Sequence, residues 1–141
     1  MKSAYVLLSI VSMLTFSCSS DSTKVATDKD NYEKVRQELR EKEEKDPRTF
    51  LLVNGDSRKN LIGQTVVKGN ITNKASIAVF KDVDVNLSFY SKTNALLETD
   101  KETIFEIVHP GETKNFKTKY FAPKGTDSVA FTIVNAKVVK P

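Results

Sequence analysis

The chain predicts a mainly β protein, a seven-stranded antiparallel sandwich preceded by an export signal, a polar tether and one short charged helix. Three observations lead there. After Pro47, apolar and polar residues alternate in several short runs, the period of strands with one dry and one wet face. Clusters of Gly, Pro, Asn and Asp separate those runs about every ten residues. Before Pro47 the residues are helix formers, and the first 17 have a basic start and an apolar middle.

Residues 1–17 have the layout of an export signal: Lys2 opens a basic region, Ala4 to Phe16 is almost wholly apolar, and small Ser17 closes it. The run is too short for the ~20 apolar residues of a bilayer span. The stretch Leu14-Thr15-Phe16-Ser17-Cys18 resembles a bacterial lipobox. That resemblance implies diacylglycerol on the Cys18 thiol and removal of the signal after Ser17. An ordinary secretory signal is the alternative, because Thr15 and Ser17 also satisfy a small-x-small rule and mark the same bond. Cys18 separates the two. It is the only cysteine, and an unpaired thiol at the end of an exported protein would oxidise or pair between molecules. Two or three acyl chains, at ~0.8 kcal/mol per buried methylene, give lasting attachment where one would not. Ser19, rather than Asp, after the cysteine implies by the same resemblance an outer-membrane address, on the periplasmic face or at the cell surface.

The 22 basic and 18 acidic side chains give a net charge of +4, and from Arg48 onward 14 basic residues stand against nine acidic ones. Such a balance suits anionic lipid headgroups, lipopolysaccharide or acidic glycans. The charges are dispersed rather than clustered with aromatics, which argues against nucleic acid. About 124 residues follow the signal, enough for one cored domain and not for two. With one cysteine and no Trp, packing of Phe, Tyr, Val, Ile and Leu must supply the stability.

Residues 18–29 read as a flexible lipid-anchored tether, polar and without apolar periodicity. Asp30 and Glu33 form a capping-box pattern, so a charged helix is expected over 30–46. Asp46 before Pro47 ends it. Its apolar stripe is only Tyr32, Val35 and Leu39, which fits a helix loosely docked on its domain, a spacer or a partner-binding helix.

The sandwich is expected over 48–141. Thr49 to Asn54 reads as a first strand ended by the turn Asn54-Gly55-Asp56-Ser57, and Leu61 to Asn73 as a second, bent at Gly63 or Gly69. Asp82 to Tyr90 alternates strictly, with Val83, Val85, Leu87 and Phe89 on the dry face. Leu96 to Thr99 and Thr103 to Val108 read as two strands, and His109-Pro110-Gly111-Glu112 as a tight loop. Lys114 to Phe121 and Ser128 to Val139 complete the set. Seven strands without intervening helices argue an immunoglobulin-like sandwich, with an eight-stranded or barrel closure as the alternative. Val67-Lys68-Gly69-Asn70-Ile71-Thr72-Asn73, the run Val83 to Tyr90, and Pro110, Gly111, Glu112 and Phe116 resemble the small immunoglobulin-like domains of the FxLYD family. The resemblance implies that fold and is nearly silent on activity.

Candidate chemistry is sparse. Asp82, Asp84 and Asn86 match the opening of a calcium loop, but Leu87 and Thr93 stand where its Gly and bidentate Glu belong. His109 is the only histidine, so a local transition-metal set cannot be assembled. No cofactor, metal or catalytic residue is expected. Lys117 and Lys119 share a strand face with Lys114 and Lys124 flanking them, which reads as lysine protection of a sheet edge or as an anion-binding patch. The expected activity is recognition of another envelope component, most simply a protein, by a membrane-anchored module. A small-ligand or glycan binder and a structural subunit of an envelope assembly are the alternatives.

Overall fold

A computed structural model describes residues Ser22–Lys140. The signal 1–17, Cys18 and the first residues of the expected tether lie outside it. Helix α1 spans Ser22–Lys45 and a one-turn helix α2 spans Pro47–Phe50. Six strands follow: β1 (Leu51–Lys59), β2 (Thr65–Asn73), β3 (Phe80–Ser91), β4 (Leu96–Val108), β5 (Thr113–Tyr120) and β6 (Thr126–Val138). They form two antiparallel three-stranded sheets, β1-β2-β5 and β4-β3-β6.

The dry face of β3 is as its alternation requires. Val83, Val85, Leu87 and Phe89 are all fully buried and meet Val67 and Ile71 of β2 in one core. Gly55 and Gly69 oppose each other in the β1-β2 ladder, where a Cβ on Gly55 would come within 3.0 Å of the Phe131 ring, and one on Gly69 would clash with the ring of Phe116. Both glycines therefore lie inside strands and make room for aromatic rings. The expected turn at Asn54 to Ser57 is strand, and the chain reverses instead at Asn60 to Gln64. There Asn60 Oδ1 accepts the N–H groups of Ile62 (3.1 Å) and Gln64 (2.9 Å). Its amide donates to Gln64 Oε1, and Gly63 takes a φ of +82°.

Six strands replace the expected seven because Leu96 to Thr99 and Thr103 to Val108 are one continuous strand. Its polar middle is tolerated at a sheet edge: Lys101 pairs with Asp84 at 2.8 Å, and Glu102 accepts the Tyr120 hydroxyl from β5. That bond closes one flank of the sandwich, beside an edge-to-face contact of Tyr120 with Phe89, ring centroids 6.0 Å apart.

The tether is shorter than expected, since helix begins at Ser22 and Asp30 and Glu33 lie inside it. Nothing between Ser22 and Lys45 is Gly or Pro, so nothing interrupts the i→i−4 ladder once it has started. At ~1.5 Å per residue α1 is about 36 Å long. Pro47 stops it as anticipated, and Asp46 accepts from the Thr49 hydroxyl (2.9 Å) and Arg48 Nε (3.1 Å).

The sandwich has two distinct ends. At the first, α2 enters β1, the 74–79 loop carries β2 into β3, and the 109–112 loop carries β4 into β5. At the second lie the β1-β2 turn, the β3-β4 turn at 92–95 and the β5-β6 crossing at 121–125.

Candidate functional site

The first end is held by buried polar side chains. Glu43, on the last turns of α1, is 1% exposed. Its carboxylate accepts backbone N–H groups from Ser76 (2.7 Å), Ile77 (2.9 Å) and Ala78 (2.8 Å). Burial pushes its carboxyl up, but the three donors together outweigh that and hold it below its ordinary value. Beside it, fully buried Asn73 donates to the carbonyls of Ala78 (2.9 Å) and Val108 (3.0 Å) and accepts from the Ala75 N–H (2.9 Å). A charged side chain thus docks the helix, while the stripe Tyr32, Val35 and Leu39 stays exposed along a groove that it shares with Ser76 and Ile77 of the loop. Nothing in the sequence distinguishes Glu43 from the other glutamates of a charged helix. Asn73 is marked only by ending an alternating run.

The four candidate lysines do not form one patch. β5 is an edge strand, as lysine protection requires, and Lys117 and Lys119 point outward from it. Lys114 lies on the opposite, inward row with Phe116 and Tyr120 and bonds Glu112 at 2.7 Å. That bond raises the Lys114 pKa and, with the His109 N–H, lowers that of Glu112. Lys124 sits in the 121–125 loop. The register supplies two cations that sequence reasoning missed. Lys68 lies directly opposite Lys117, and Arg58 and Lys119 flank Val66, so all four project from the outer face of one sheet. Their signal was the β1-β2-β5 pairing, which no single strand reveals. A shallow depression of about 630 Å³ crosses this face, bordered by Lys68, Asn70, Asn115 and Lys117.

The residues considered for calcium are engaged elsewhere. Asp84 takes Lys101 and the Thr103 hydroxyl (2.6 Å), which lower its pKa in that order. Asp82, at a break in the β3 register with φ of +48°, pairs with Lys137 at 3.0 Å. Among the described residues no group of three His, Cys, Asp or Glu side chains is placed to hold a metal ion. His109 is a turn residue whose N–H donates to the Glu112 carboxylate at 2.9 Å.

The second end differs in kind. Leu61 (106% exposed) and Ile62 (73%) project from the β1-β2 turn, Phe121 (80%) from the β5-β6 crossing, and Leu96 (57%) from the first position of β4. Each connection also carries or adjoins an exposed lysine: Lys59, Lys92 and Lys124. Among the described residues none of these lysines lies within ion-pair distance of a carboxylate. No protein-family model matches the chain, and no curated protein or solved structure is significantly similar to it.

Proposed function

We propose that this chain is a lipid-anchored, non-enzymatic protein of the cell envelope, attached to the outer membrane through Cys18. Its sandwich, of the immunoglobulin-like, FxLYD-like kind, recognises another envelope component, with a protein as the partner class and nucleic acid outside its range. The observation that carries the reading is the joint at Glu43. α1 begins four residues after Cys18 and ends bonded to the backbone of the 76–78 loop, so acyl chains on Cys18 would be coupled to the sandwich through a stiff arm about 36 Å long. The use of Asp82, Asp84 and Glu112 supports binding rather than turnover, since each is engaged by a cation or a backbone donor within the fold.

Metabolic labelling with a fatty acid tests the anchor. Wild type should take the label and partition into detergent, and Cys18→Ala should do neither. An unchanged mature mass in that variant would refute lipidation. Crosslinking in intact cells from Lys117 and Lys119 tests the partner class, with a second envelope protein expected and Lys117→Glu with Lys119→Glu expected to abolish its capture. The depression bordered by Asn70 and Asn115 favours one alternative, a glycan or small polar ligand. Saturable binding there with no protein captured would establish it.

A further inference from the structure

We infer that the second end of the sandwich is a docking surface for an anionic phospholipid bilayer, separate from any lipid on Cys18 and independent of that assignment. The turn bearing Leu61 and Ile62 is braced by Asn60, whose side chain and backbone bond Ile62, Gly63 and Gln64, and both aliphatic side chains stand exposed on it. Phe121 projects from the neighbouring β5-β6 crossing and Leu96 from the start of β4. The β-ladders bring these three connections to one end: Thr65 pairs with Tyr120, Tyr90 with both Leu96 and Ser128, and Ser91 with Thr126.

Apolar side chains and cations are interleaved at this end. Leu61 and Ile62 lead in the β1-β2 turn with Lys59 behind them, Phe121 stands beyond Lys119, and Lys92 and Lys124 lie in the 92–95 and 121–125 connections beside Leu96 and Phe121. Side chains that enter the acyl boundary by ~5–10 Å would leave lysines at phosphate depth, where their methylene stems are also accommodated. At this end Lys59, Lys92, Lys119 and Lys124, with Arg58 paired to Asp56, outnumber the remaining carboxylates Glu98 and Asp127, which selects an anionic surface over a zwitterionic one. The apolar residues are spread over separate segments, Leu61 and Ile62 in the β1-β2 turn, Phe121 in the β5-β6 crossing and Leu96 at the start of β4. That form suits insertion into a fluid interface.

The chain beginning at Ser19 keeps every described residue and carries no acyl group, so it reads this surface alone, whereas labelling of Cys18 reads the anchor alone. It should co-float with phosphatidylglycerol vesicles and at least tenfold less with phosphatidylcholine vesicles. Leu61→Ser with Ile62→Ser, and separately Lys59→Glu with Lys124→Glu, should each weaken binding tenfold or more without shifting the melting temperature. Because the chain has no Trp, Ile62→Trp gives a single reporter, whose emission should shift to the blue and be quenched by brominated lipid. Phe105→Trp, at a position 80% exposed on the outer side of the other sheet, should show neither change. Absence of vesicle binding, equal binding to both lipids, equal shifts at the two reporters, or capture by a soluble acidic polypeptide in place of vesicles would overturn the assignment.

Discussion

At one end of the sandwich Glu43 and Asn73 are buried and take up six backbone partners between them. At the other, four large apolar side chains stand in water beside lysines that, among the described residues, have no carboxylate within ion-pair distance. The first end is polar inside and the second apolar outside, the reverse of what burial rules alone would place there. Where the backbone of the 74–79 loop must be buried to close the core, unpaired N–H and C=O groups would be costly, and side-chain acceptors and donors replace water. Among the described residues no buried side-chain nitrogen or oxygen lacks a partner. The connections at the second end satisfy their backbone locally, by the Asn60 brace and by the Ser91 hydroxyl, which accepts from the Thr93 and Ala95 N–H groups. Their apolar side chains are thereby free for an external surface.

The contrast predicts that stability resides at the first end. Asn73→Leu should have the largest effect. It leaves the Ala78 and Val108 carbonyls and the Ala75 N–H without partners inside the core, at about 1–3 kcal/mol for each group left unpaired, a large part of the 5–15 kcal/mol typical of a domain. Chemical denaturation should give a midpoint reduced to the edge of folding. A loss below about 1 kcal/mol would show that water reaches this end.

Glu43→Ala comes next, at about 3 kcal/mol, because three N–H groups lose one charged acceptor. The pH dependence has a definite sign. The Glu43 carboxyl is held below its ordinary value of 4.5, so its contribution is complete above that value and is lost as pH falls through the lowered one. Melting curves between pH 6 and 3 should show an acid limb that is shallower in Glu43→Gln than in wild type. The limb should not vanish, since Asp46, Asp84 and Glu112 are lowered as well.

These two residues also mark how far the sequence could be read. The alternation of Val83 to Phe89 located the core, because a strand's period is a local property. The helix and its Pro47 stop were legible for the same reason. Its first residue was not, because a cap pattern at Asp30 and Glu33 competes with uninterrupted helix propensity and lost. The turn at Asn54 to Ser57 was misplaced because glycine marks a bend and a close approach alike. Gly55 and Gly69 serve the approach of Phe131 and Phe116, residues more than 45 positions away. The site was legible only in part. Lys117 and Lys119 share a face in any β5, but Lys68 and Arg58 join them solely through register. Lys114 leaves because residues of opposite parity face opposite sides.

Tyr120→Phe tests the flank between the two ends. The hydroxyl bonds Glu102 across the gap between β5 and β4, and burial, followed by that carboxylate, raises the Tyr120 pKa above the ordinary phenol value. The ring contact with Phe89 survives the change. The expected loss is therefore only about 1 kcal/mol, measured by denaturation, and a loss as large as that of Glu43→Ala would relocate the main lock of the fold to this flank.

The smallest effect belongs to the second end, and its smallness is what the comparison demands. Leu61→Ser, Ile62→Ser and Phe121→Ser remove side chains that contribute almost no burial in the isolated protein, so each should change stability by no more than about 0.5 kcal/mol. Asn60→Ala should cost more, about 1 kcal/mol, because it removes the acceptor for the Ile62 and Gln64 N–H groups. Differential scanning calorimetry can order the four. If Leu61→Ser proved as costly as Asn60→Ala, the turn would be drawing stability from contacts that its exposed tip does not make, and the division between a structural end and a binding end would fail. If Asn60→Ala alone destabilises, the turn is a braced platform, and the brace serves the two aliphatic chains it holds out.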